Sequence, residues 1–169
     1  MGTGAWPSPV TIPYAEFPNL QPGNHTVTSN SDPKYNCFAW AAHHTDRWLD
    51  PLRPLGYWPP QIPPRATLNN FTAVYEAEGW VRCESPAPEA GYEKIAIYTD
   101  RRGLPQHAAR LLENGKWTSK LGEEEDIDHD DLQVFDGSDY GQAARYLRRP
   151  LPQDGASSAA SPAPATGSP

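Results

Sequence analysis

The sequence predicts an α+β domain in which helices pack against one antiparallel sheet. Three observations predict it. A capped helix starts beside Cys37, and a second helix starts at Leu68. From Trp80 onward, apolar residues come in short runs separated by Gly, Pro, Asn and Asp. Helical periods followed by strand periods are the pattern of α+β architecture.

Each element has a local reason. Residues 1–30 are rich in Pro, Gly, Asn and Thr and have no periodicity, so they read as an extended arm anchored by Trp6, Tyr14 and Phe17. The core domain is expected over 31–149. Its first helix begins between Pro33 and Cys37 and runs to Leu49, with Cys37, Ala41, His44 and Trp48 as a stripe. Ser31, Asp32 and Asn36 are good cap types, and Pro51 and Pro54 end the run. Residues 51–66 form a Pro-rich aromatic loop. Thr67 caps a second helix, Leu68 to Glu78, which Gly79 stops.

Strands follow. Trp80–Glu84 is one, and Glu93–Tyr98, apolar on both faces, is central. Residues 106–112 and 116–121 flank Asn114-Gly115, a hairpin signal. Residues 127–135 read as a short helix capped by Asp128 or Asp130, and 140–148 as the last strand. From 150 to 169 the composition is Pro, Ala, Ser and Gly, a disordered tail.

Composition excludes several functions. The formal charge is −7, and the densest like-charge run, Glu123 to Asp131, is anionic. That argues against nucleic-acid and anionic-membrane partners, and the run itself reads as a solvated loop or helix start. No apolar run approaches the ~20 residues of a membrane span. The N-terminus lacks a signal-peptide pattern, so the cytoplasm is the expected compartment. The two cysteines, Cys37 and Cys83, cannot make a disulfide scaffold. Adjacent His43 and His44 lack the spacing of helical metal ligands, so neither a metal nor a cofactor is expected.

A thiol at a helix start meets unpaired N–H groups and the positive end of the dipole, which favour thiolate. Cys37 is therefore the candidate nucleophile, and it needs a base. His44 lies about 10 Å along the helix axis at 1.5 Å per residue, too far for direct proton transfer. His107 follows the Gly103-Leu104-Pro105 turn and precedes Ala108-Ala109, small residues that leave room for another element. It is the candidate base. Asn36 is a cap or an oxyanion donor. Trp40, Tyr57, Trp58 and Trp117 are candidates to line an apolar cleft.

Asn-Cys-Phe-Ala-Trp-Ala, then Glu93–Tyr98, then His107–Trp117 resemble the papain-like superfamily, in particular its NlpC-type and CHAP-type branch. Segment 31–149 also resembles a bacterial domain family of unknown function, through Tyr-Asn-Cys, Trp-Thr-Ser-Lys-Leu-Gly and Asp-Ile-x-His. The resemblance implies a papain-like fold and a Cys37–His107 hydrolase acting through an acyl-enzyme. Its partner would be a peptide or amide substrate.

Those relatives also carry a polar residue on the return strand that orients the histidine. If the Asn114-Gly115 turn has a one-residue bulge, Ser119 shares the face of His107; with a two-residue turn, Lys120 does. Asp126 and His129 are the other candidates. The competing expectation is a catalytically inactive binding module on the same fold.

Overall fold

The computed structural model describes residues 10–137 and 139–152. Trp6 and the tail from 153 onward lie outside the described residues. In chain order the elements are β1 (His25–Val27), α1 (Cys37–Ala41), α2 (Leu68–Ala77), β2 (Val81–Cys83), β3 (Tyr92–Thr99), β4 (Pro105–Leu111), β5 (Trp117–Lys120), β6 (Asp126–His129) and β7 (Gln142–Pro150). All seven strands join one sheet in the order β1-β6-β5-β4-β3-β7-β2, and every pairing is antiparallel.

β3 is buried from Glu93 to Tyr98 and paired on both sides, as its continuous apolar run predicts. Strand alternation divides the core into two layers. On one side Ile95, Ile97, Ala108 and Leu147 pack under Cys37, Phe38, Ala39, Phe71, Tyr75 and Trp80. Here α1 and α2 meet through Phe38 and Phe71, stacked with centroids 4.1 Å apart. On the other side Ala96, Tyr98, Ala109, Trp117 and Ile127 pack against Phe17, Leu20, Leu132 and Phe135.

The structure overturns the expected fold class. It is dominated by a seven-stranded antiparallel sheet, with α-helices of only 5 and 10 residues. It is not an α+β fold of the papain-like type with N-terminal helices. Two local features account for the difference. α1 stops at Ala41, because His43 takes a left-handed φ of 68° and His44 N–H turns back to Ala39 O at 2.9 Å. The expected Cys37-to-Trp48 stripe is therefore not formed. In addition, Asp126–His129 is a strand, and the short helical turn follows it at Leu132–Phe135, capped by Asp131.

The arm is a working part of the sheet. Ile12, Phe17 and Leu20 are buried, and β1 pairs with β6 through His25↔His129 and Val27↔Ile127. The arm also reaches the acidic run, where Thr11 N–H donates to Glu125 Oε1 at 2.8 Å. Glu125 and Asp126 are each only 2% exposed, so this part of the run is core, not solvated loop. At the other end β7 continues to Pro150, and Leu151 N–H bonds Gly91 O. Among the described residues no helix is long and apolar enough to cross a membrane.

Candidate active site

Asn36 caps α1. Its Oδ1 accepts from Ala39 N–H at 3.1 Å and from Leu49 N–H at 3.0 Å, while its Nδ2 donates to Leu49 O at 3.0 Å. These bonds make it the tie between α1 and the following loop. Directly after it, Cys37 is 7% exposed. The backbone at Ala108, Phe38 and Cys37 itself favours the thiolate. Burial outweighs this and pushes the thiol up to about 12, so it rests protonated. The helix start does supply donors, but a dry surrounding reverses the expected bias to thiolate. Cys83, partly exposed, is also a free thiol, and no bridge joins the two.

The hairpin register decides what faces His107. Leu112 N–H bonds Lys116 O, and Arg110 and Leu111 pair with Thr118 and Trp117. That is a three-residue loop with Gly115 at φ 83°, the bulged alternative. Ser119 therefore shares the face of His107, and Lys120 turns to the α1 side.

Ser119, His107 and His129 form a hydrogen-bonded chain. Ser119 Oγ is 3.0 Å from His107 Nε2 and 2.8 Å from His129 Nε2, and His129 Nδ1 is 2.8 Å from Asp131 O. Burial drives His107 well below the ordinary histidine range, helped by His129, and drives His129 to about 4. Both rings are therefore neutral at pH 7, and their tautomers follow from the chain. Asp131 O can only accept, so His129 carries its proton on Nδ1 and its Nε2 is bare. The Ser119 hydroxyl donates to that nitrogen, and Ser119 Oγ accepts Nε2–H of His107. His107 Nδ1 is left as a bare lone pair, buried and without a hydrogen-bond partner.

An aromatic box holds this ring. Tyr140 stacks on His107 at 4.2 Å with a 2° interplanar angle, and Phe135 and Tyr98 lie with centroids 5.0 and 5.3 Å away. Sequence reading missed Tyr140. Its signal was Gly137 and Gly141 on either side, which bond each other's backbone and close a tight loop that presents the ring. A Cβ at Gly141 would stand 1.8 Å from Thr99 O, so only glycine fits there.

Not all expected partners converge. His107 faces the layer of Tyr98 and Phe135, whereas its neighbour Ala108 packs with Cys37 on the helix side. Among the described residues no hydrogen bond joins the Cys37 sulfur to His107. Asp126 is also on the helix side, accepting from Tyr35 Oη at 2.7 Å, and does not touch the imidazole. Of the candidate aromatics, Trp40 and Trp58 belong to the helix-side layer, Trp117 to the opposite one, and Tyr57 is 41% exposed, so they share no cleft. His43 and His44 pair with Glu93 and Glu78 at 2.6 and 2.7 Å. Among the described residues no group of three or more ligating side chains is placed to hold a metal.

Two depressions flank the Tyr140 loop. One of about 920 Å³ is lined by Thr99–Arg102, Gly137 and Gly141–Ala144. The other, of about 300 Å³, is lined by Phe17, Leu121, Glu123 and Tyr140 among others. Neither is lined by Cys37 or His107.

No curated protein and no solved structure matches the chain. Over residues 26–148, which span the sheet, α1 and the whole His107–Ser119–His129 chain, it matches the model of a domain of unknown function, DUF7689, and the protein belongs to that family.

Proposed function

We propose that the domain is a thiol hydrolase acting on an amide or peptide-type bond, with Cys37 as nucleophile and His107 as base. The observation that carries this reading is the unpartnered Nδ1 of His107, held bare by Ser119 and His129. A buried lone pair without a partner costs about 1–3 kcal/mol, and a base that must accept a proton during reaction is a reason to keep one.

The chemistry runs as follows. Cys37 gives its proton to His107 Nδ1, and the sulfur attacks the carbonyl carbon. N–H groups of Phe38 and Ala108 stabilise the charge that develops beside them. The imidazolium returns its proton to the leaving amine, and water then releases the acyl group by the same route. Because Cys37 packs on the helix side of the sheet and His107 faces the opposite layer, proton transfer requires the α1–β4 contact to rearrange and bring the sulfur within reach of Nδ1. Ser119 and His129 are positioning residues; Asn36 is structural.

The test is acylation by p-nitrophenyl acetate, read by mass spectrometry of peptides carrying Cys37 and Cys83. The expected result is an acetyl adduct on Cys37, formed about 10²-fold more slowly in His107→Gln. A second reading, a binding module without activity, is favoured by the protonated, nearly sealed thiol. Equal labelling of Cys37 with and without His107, or none, overturns the hydrolase reading in its favour.

A further inference from the structure

On the helix side of the sheet, Lys120 and Asp126 are directly opposite residues of β5 and β6. Their side chains are 0% and 3% exposed, and Nζ stands 4.0 Å from Asp126 Oδ1. That oxygen has no hydrogen-bond partner. The other, Oδ2, accepts from Tyr35 Oη at 2.7 Å. Lys120 Nζ lies over the Tyr35 ring at 4.9 Å and donates to Glu124 O. The hydrolase chemistry does not use this group, which lies across the sheet from the His107 relay.

From this geometry we infer that Lys120 and Asp126 are the precursors of an intramolecular isopeptide bond that staples the β5–β6 hairpin. A buried amine can react only with what the fold sets beside it, and here that is a carboxyl group with one oxygen held and one free. Burial favours the neutral form of each partner: it lowers the Lys120 pKa and raises that of Asp126, against their mutual attraction. Neutral amine and carboxylic acid are the reactive pair.

The step balances as a condensation. The proton of the ammonium passes to Oδ1, giving NH₂ and COOH. The Nζ lone pair then forms a bond to Cγ, and Tyr35 Oη–H holds the charge that develops on Oδ2. An Nζ proton moves to the Oδ1 hydroxyl, the Cγ–Oδ1 bond breaks and water leaves. No oxidant, metal or second protein is required. Tyr35 keeps its proton throughout, since burial and Asp126 raise its pKa well above the ordinary phenol range.

The decisive measurement is the intact mass of the full-length chain, purified and then held at neutral pH for several days. The expected mass is one water below that of the sequence. A tryptic digest should carry a branched peptide uncut after Lys120. Asp126→Asn should lose ammonia in place of water, Lys120→Arg should keep its full mass, and Tyr35→Phe should link at least tenfold more slowly. If Lys120→Arg fails to fold, the wild-type mass and digest still decide. Full sequence mass in folded wild-type protein, with ordinary cleavage after Lys120, overturns the inference and leaves a buried ion pair.

Discussion

Ser119 Oγ accepts the Nε2–H of His107 across 3.0 Å, and this contact decides which imidazole nitrogen is left free. Removing the hydroxyl should unfix the ring. In Ser119→Ala, nitrogen NMR of the imidazole should change from the Nε2–H tautomer to a mixture, with a loss of about 1–3 kcal/mol for the unmet groups. An unchanged tautomer would show that packing against Tyr140, not Ser119, sets it.

The same relay makes stability depend on pH. His107 and His129 both have folded pKa values below the unfolded value near 6.5, that of His129 falling to about 4. Below pH 6.5 the unfolded chain therefore binds more protons, and folding weakens. The contribution is complete above about 6.5, is lost as pH falls, and for His129 levels off below 4. The drop from 6.5 to about 4 corresponds to roughly 3 kcal/mol at about 1.4 kcal/mol per pH unit. Urea melts from pH 7.5 to 4.5 should show the decline, and His129→Phe should flatten part of it.

Burial predicts the order of thiol labelling. Cys37 rests protonated at 7% exposure, whereas Cys83 is partly exposed on an edge strand. Iodoacetamide at pH 7.5 should modify Cys83 first, with Cys37 at least tenfold slower until the protein is unfolded. Comparable rates in the native protein would mean that the Cys37 environment opens readily.

Gly141 offers a steric test of the Tyr140 loop. An alanine there meets Thr99 O and a φ of 75°, whereas Gly103, at φ 79°, has nothing within 4 Å of the added carbon. Gly103→Ala should cost about 1 kcal/mol from backbone strain alone. Gly141→Ala should cost more than 2 kcal/mol and disturb the Tyr140 ring, seen as a changed near-ultraviolet circular dichroism spectrum. Equal costs would mean that the loop simply shifts.

Much of the secondary structure was legible because local chemistry dominates it. Thr67 and Gly79 bracket α2, and the buried run of β3 and the Asn114-Gly115 turn appear where expected. β1 and β6 were not legible. They have 3 and 4 residues, too short for a period to show, and Asp-Ile-Asp-His resembles a helix cap more than a strand. The early end of α1 depends on one histidine in a left-handed conformation, which no periodicity announces.

The site divides the same way. Cys37, His107, Ser119 and His129 were all visible as chemistry-bearing residues, and three of them meet. Which three depends on a single bulge and on strand parity, since a shift of one residue in the hairpin would put Lys120 in place of Ser119 on the face of His107. Asp126 was a plausible orienter by residue type, and parity sends it to Tyr35 and Lys120 instead.

The strand order β1-β6-β5-β4-β3-β7-β2 has a consequence for synthesis on the ribosome. Only β3 to β6 pair with strands next to them in the chain. β1 must wait about a hundred residues for β6, and β2 joins the sheet only through β7, the last strand made. The nascent chain therefore carries two unpaired segments until its C-terminal portion emerges. The meander forms first, and the arm that covers His129 closes afterwards. Folding dominated by such distant pairings is slow, and until β6 and β7 are made, the backbones of β1 and β2 have no strand to pair with.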